Sequence, residues 1–105
     1  TPISLQSEII LNKDLFFRGH NQNTVLSGNT SNRIFNILAG TVVDFENITF
    51  RDAFSTTNGG AILNQGTMEL NRVTFEQNKE GPSSKAFTNQ GEVIIKSSSD
   101  VQIKE

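Results

Sequence analysis

Asp44, Glu46 and Glu69 are the side chains of this sequence whose type and spacing could do chemistry. Two carboxyl groups about 5 to 9.5 Å apart across a glycosidic bond can hydrolyse it, one as acid and the other as base or nucleophile. Carboxylates held close together can also bind calcium, which takes oxygen ligands. Asp44 and Glu69 lie 25 positions apart, so either chemistry requires a fold that brings the chain back on itself at that interval. His20 is the one histidine, in the run Gly-His-Asn-Gln-Asn. No Ser or Cys is marked as its partner, so it reads as a turn residue and not as part of a nucleophilic triad. Asn29-Thr30-Ser31 and Asn47-Ile48-Thr49 match the glycosylation sequon, a match expected by chance in a chain with twelve asparagines.

The required return is written in the sequence. Residues 40–50 read Gly-Thr-Val-Val-Asp-Phe-Glu-Asn-Ile-Thr-Phe, residues 66–75 read Gly-Thr-Met-Glu-Leu-Asn-Arg-Val-Thr-Phe, and residues 91–95 begin a third copy with Gly-Glu-Val-Ile-Ile. A fixed period of this length is the signature of stacked repeats. Within a copy the apolar residues alternate, as a strand with one buried face requires. Val43, Phe45, Ile48 and Phe50 form one set, and Met68, Leu70, Val73 and Phe75 repeat it 25 residues on. The odd step from Phe45 to Ile48, repeated from Leu70 to Val73, marks a corner between two short strands. Ile9 and Leu11 anticipate Phe35 and Ile37 by 26 residues, and Ile62 anticipates Phe87 by 25. Val101 and Ile103 arrive three residues late, so a loop is inserted before them at that corner. Residues 19–23 likewise lengthen a turn of the first copy.

No segment carries a sustained helical apolar pattern, and β-branched and aromatic residues fill the apolar positions. The expected fold is all-β, a right-handed parallel β-helix of about four rungs of roughly 25 residues. As one domain over residues 1–105, it divides into rungs near 8–32, 33–58, 59–84 and 85–105, with Ile3 and Leu5 as the tail of an earlier rung. On the outward face Thr49 should stack on Thr74, and Arg51 on Glu76 with Lys104 beyond, an alternating charge ladder. Gly40, Gly66 and Gly91 recur at a corner where a positive φ suits glycine. Gly59 and Gly60 should turn the chain tightly into the next rung. Asn64 and Asn89 each stand one residue before a Gln-Gly pair and should stack as an amide ladder.

Composition excludes more than it identifies. Nine basic and eleven acidic residues leave a net charge of -2, which points away from nucleic acid and from a polybasic membrane anchor. Cysteine is absent, so disulfides and thiolate metal sites are excluded. No apolar run approaches the roughly 20 residues of a transmembrane helix. The chain opens at Thr1 without a signal-like segment and reads as a mature product or an excised fragment.

Gly59-Gly60-Ala61-Ile62 and Phe75-Glu76-Gln77-Asn78 resemble the GGA(I/L/V) and FxxN motifs of polymorphic outer-membrane-protein repeats. The stretch from Thr24 to Asn29, with Asn32 to Ile37 after it, is similar to the opening rungs of secreted bacterial β-helix proteins that carry this repeat. Most of residues 8 to 96 fall under the resemblance. Ala53 stands where FxxN would place an asparagine after Phe50, and one GGA motif is present, so the array is degenerate or terminal. The resemblance implies a bacterial protein, secreted or on the cell surface, serving as a non-enzymatic stalk or an adhesin-like surface for a glycan or a host surface.

The alternative is a polysaccharide-active lyase or hydrolase fragment using Asp44 and Glu69, with calcium bridged by Asp44, Glu46 and Glu69. Against it, the third-copy positions matching Glu69 and Asn71 are Ile94 and Lys96, and no second acidic pair or catalytic arginine accompanies the cluster. The expectation is therefore no catalytic residue and no cofactor, with the three acids as solvated outward groups. The ends of a β-helix expose unpaired strand edges, so association between copies is expected unless a terminal loop covers an edge.

Overall fold

The computed structural model describes residues 2–20, 24–95 and 101–104, and among them every regular element is a strand. The chain is a parallel β-solenoid of about four turns. A preceding strand, β1 (Ile3–Ser4), leads into a first rung of β2 (Ile9–Leu11), β3 (Leu15–Arg18) and β4 (Val25–Ser27). The second rung holds β5 (Phe35–Ile37), β6 (Val42–Arg51) and β7 (Phe54–Ser55). The third holds β8 (Ile62–Asn64), β9 (Thr67–Glu76), β10 (Lys79–Glu80) and β11 (Ser83–Ser84). The fourth holds β12 (Phe87–Asn89), β13 (Glu92–Ile95) and β14 (Val101–Lys104).

The rungs build three walls. A principal sheet runs β1-β4-β6-β9-β13, with β3 also on β6 and β14 also on β9. A second sheet runs β12-β8-β5-β2, and a third runs β11-β10-β7. The pairings between rungs are parallel, as the 25-residue return demands: Phe45 lies opposite Leu70, Ile48 opposite Val73 and Phe50 opposite Phe75. The exception is β11, which folds back antiparallel on β10 after the two-residue turn Gly81-Pro82. It occupies the place on the third wall where a third parallel strand, that of the fourth rung, would go.

The corner inside β6 and β9 has a simple cause. Asn47 (φ 58°) and Arg72 (φ 54°) adopt left-handed backbone, which bends the strand and resets the in-out alternation, so Phe45 and Ile48 both point inward. At the same corner the first rung spends six residues between Arg18 and Val25, where the second spends two between Glu46 and Thr49. The fourth rung likewise carries a three-residue insertion there, since Ile95 is 25 residues beyond its partner Leu70 and Val101 is 28 beyond Val73.

Inward columns form the core. Val43, Phe45, Phe50, Met68, Leu70, Val73 and Phe75 are at most 1% exposed, each burial contributing about 1.5 to 3 kcal/mol. Phenylalanine rings run through it: Phe17 stacks on Phe45 at 5.4 Å, Phe45 meets Phe50 edge-on at 5.1 Å, and Phe50 stacks on Phe75 at 5.3 Å. Aromatic pairs in these geometries add about 0.5 to 1.5 kcal/mol beyond area.

Two polar devices close the walls. Asn64, fully buried, donates from Nδ2 to Asn89 Oδ1 and to the Glu92 carbonyl, both at 2.9 Å, while its Oδ1 accepts from the Gly66 N–H. Asn78, the asparagine of Phe75-Glu76-Gln77-Asn78, is 3% exposed; its Oδ1 accepts from the Ala53 N–H at 3.0 Å and its Nδ2 donates to the Phe50 carbonyl at 3.1 Å. A side chain thus satisfies the backbone of the rung before it, which a buried turn requires. Ala53 stands in the equivalent place without an amide, and the matching N–H of the rung before it, that of Asn29, donates to Ser27 Oγ at 3.0 Å.

The glycines differ from expectation in their reason. Gly40 has the positive φ, 85°, but Gly66 and Gly91 do not. Those two are small because backbone passes over them: a Cβ on Gly66 would lie 2.3 Å from the Thr41 carbonyl oxygen, and one on Gly91 2.0 Å from that of Gly66. Thr41, and not Gly40, precedes the Val42–Thr67 pair in register with Gly66. At the next turn Gly60 takes a positive φ of 90°, whereas Gly59 is small because a Cβ there would lie 2.4 Å from the Glu80 Cβ.

Candidate functional site

The principal sheet presents the acidic residues on its outer face. Asp44 lies opposite Glu69 on the adjacent strand, and Glu46 opposite Asn71. The column through Asp44 and Glu69 runs from Phe16 in the first rung to Ile94 in the fourth, so the acid pair is bracketed by apolar side chains. A hollow of about 150 Å³ lies between Phe16, Asp44, Glu46 and Glu69. Asp44 Oδ1 is buried there and takes no hydrogen bond among the described residues.

Glu46 is already committed. Arg18 Nε donates to its Oε1 at 3.0 Å and Arg72 Nη2 to its Oε2 at 3.0 Å, and the carboxylate is 13% exposed. The hydrogen bond from Arg18 is the main cause that holds its carboxyl below the usual carboxylate range; the bond from Arg72 and the attraction of both guanidinium groups add to it, against the opposing effect of burial. Both oxygens serve arginines, so Glu46 offers little to a cation. This is the physical reason the calcium arrangement of Asp44, Glu46 and Glu69 does not assemble. Among the described residues no three acidic, histidine or cysteine side chains converge as a metal site needs, whereas calcium takes six to eight oxygens.

The charge ladder also falls elsewhere than its sequence position indicates. Arg51, Glu76 and Lys104 do stack in register, but Arg51 Nε turns to Asp52, 3.3 Å away. Ion pairs that cross rungs on this face are Arg18 to Glu46 and Glu46 to Arg72, Arg72 reaching Glu46 from the left-handed corner, and Arg33 pairs with Glu8 of the rung before it elsewhere. Thr49 does lie opposite Thr74. His20 is exposed, its backbone N–H donating to Thr24 Oγ1; the three residues after it lie outside the described residues, as does Lys96. Asn29 of the first sequon is exposed, whereas Asn47 of the second is half-buried at the corner.

A second recess was not anticipated. Where the principal sheet turns into the third, Asp52 and Gln77 occupy successive rungs in left-handed backbone (φ 55° and 57°), with Thr30 (φ 55°) in the rung before. Backbone bonds tie the three levels: Thr30 N–H to the Asp52 carbonyl at 2.8 Å, Asp52 N–H to that of Glu76 at 3.3 Å, and Gln77 N–H to that of Lys104 at 3.0 Å. Beside this corner opens a groove of about 680 Å³ with Phe54 and Ala53 among its apolar lining and Thr30, Asp52, Gln77 and Lys79 among its polar groups. A β-branched threonine in that region is a genuine outlier, and such strain gathers at binding surfaces. The sequence signal was the two variable residues inside each Phe-x-x-Asn or Phe-x-x-Ala turn.

Set beside known proteins, the chain matches no family model, no curated protein and no solved structure.

Proposed function

We propose that this chain is a non-enzymatic β-solenoid segment of a secreted or cell-surface bacterial protein, a stiff spacer that presents a glycan-binding groove beside the Asp52 and Gln77 corner. The groove carries the reading: an aromatic side chain among convergent donors and acceptors, on backbone fixed from rung to rung, is the composition of a small-ligand site. The resemblance to polymorphic outer-membrane-protein repeats supports the bacterial surface setting. An outward column that is acidic in the two middle rungs alone, Asp44 and Glu69, and apolar at Phe16 and Ile94 supports a scaffold over a repeated catalytic face.

The test is a glycan array probed with the intact chain, followed by titration of any hit on Phe54→Ala, Gln77→Ala and Lys79→Ala variants. A hit weakened at least tenfold by two of the three supports the groove. Failure to bind any glycan, or binding indifferent to all three, overturns it. The register of Asp44 with Glu69 favours one other reading, a polysaccharide lyase or hydrolase fragment. Chain-length analysis of polyuronate and neutral polysaccharides after incubation with and without calcium decides it; cleavage abolished by Glu69→Gln would replace the scaffold reading.

A further inference from the structure

Among the described residues, four charged side chains line the groove at Asp52 and Gln77 and the hollow that adjoins it, and three of them have their charge matched. Asp52 Oδ2 lies 3.3 Å from Arg51 Nε. Phe54 lines both spaces, and on its far side, in a hollow of about 290 Å³, Glu8 and Arg33 pair with each other. Arg33 is also held by the carbonyls of Thr57 and Asn58, to which its Nη1 donates at 3.2 and 2.7 Å. Lys79 is the fourth. It is exposed, and among the described residues its ammonium meets no carboxylate, whereas the nearby Lys85 Nζ lies 3.3 Å from Glu80 Oε1.

The fold sets this free cation beside the groove's aromatic ring. Lys79 is the register partner of Phe54, and adjacent strands of a sheet run about 4.8 Å apart with paired side chains on one face. The backbone beneath is fixed, since the Lys79 N–H donates to the Ala53 carbonyl at 2.9 Å and β11 pairs with the other edge of β10. A sugar ring can lay its apolar side on an aromatic face, while an ammonium is a compact point charge with three donors for an anionic substituent. The chain as a whole carries a net charge of -2, so a general pull on anions does not arise from it. The positive charge at the groove is local.

We infer that the groove selects acidic glycans, with a sugar ring against Phe54 and its carboxylate or sulfate group at Lys79. This selectivity rests on the glycan reading of the groove and adds to it the charge of the ligand.

The experiment titrates the full chain calorimetrically with three tetrasaccharides of one backbone: glucuronate alternating with N-acetylglucosamine, the same with its carboxyls reduced to hydroxymethyl groups, and that reduced form sulfated at the restored hydroxyls. At least one of the two anionic forms is expected to bind tenfold or more tighter than the reduced form, and which one does so tells carboxylate from sulfate. Lys79→Gln should erase the preference and Lys79→Arg should keep most of it, because the charge and not the stem is what counts. Phe54→Ala should weaken all three alike. Lys13→Gln, which removes the same charge between β2 and β3, should change nothing. Raised salt should shrink the preference. Binding of the reduced form within twofold of both anionic forms overturns the inference, as does a preference that survives Lys79→Gln or falls equally with Lys13→Gln. If the glycan array yields a neutral ligand while none of these three binds, the acidic selectivity is overturned and the groove stands. An empty array overturns both.

Discussion

The two middle rungs and the two outer ones are built from the same repeat, yet they solve the burial problem differently. In the middle, β6 and β9 pair through nine residue positions, turn their shared corner on a single left-handed residue each, and bury Phe45, Phe50 and Phe75 completely. In the outer rungs the corner is lengthened by inserted residues, and Ile9, Leu15 and Ile103 are 41% to 57% exposed. The stability of a solenoid repeat is thus the sum of what it holds by itself and what its neighbours above and below add.

The sharpest way to break this contrast is to delete rings. Phe50→Ala should cost about 3 to 5 kcal/mol, because a cavity opens between two packed rungs. Phe17→Ala, in the first rung, should cost less than half of that in the same denaturant titration. Equal losses would mean that the end rung is as tightly held as the middle.

A smaller effect is expected at the amides. Asn78→Ala takes from the buried Ala53 N–H its acceptor and from the Phe50 carbonyl one of its donors, and the lost Ala53 partner alone should cost about 1 to 3 kcal/mol. Asn89→Ala, whose amide is exposed on the last rung, should cost well under half as much. Hydrogen exchange at the Ala53 amide is the direct probe, and only Asn78→Ala should accelerate it strongly.

The smallest effect lies on the surface. The Glu46 carboxyl is held below its ordinary value of 4.5, so it binds a proton more weakly folded than unfolded. Its contribution is therefore complete above the unfolded value and disappears as pH falls through the lower folded one. Glu46→Gln should lower stability slightly at neutral pH and leave it nearly unchanged well below pH 4.5, so that the acid limb flattens, and raised salt should mimic part of the change.

Much of the architecture was legible because it is periodic. The 25-residue return, the inward set from Val43 to Phe75, the corner after Phe45 and the late arrival of Val101 all follow from alternation and spacing, which the pleat of a strand enforces. The third wall was not legible: β7, β10 and β11 are two residues each, too short to show a period. The groove escaped for a related reason. Its polar residues sit at variable turn positions, and their left-handed backbone leaves no mark on sequence when the residue is a threonine, an aspartate or a glutamine. Gly66 and Gly91 were read for a positive φ that, of the three, only Gly40 has, since close passage of a neighbouring backbone and a positive φ demand the same small residue.

The sequence by itself therefore determined which residues face inward and how far apart successive rungs lie, because hydrophobic alternation and repeat length are one-dimensional quantities. Only the tertiary structure decided where the charges go. Glu46 is held by one arginine from the rung before it and another from the rung after, while Arg51 turns to its own neighbour. Such choices depend on side-chain reach and corner geometry, and these exist only once the rungs are stacked.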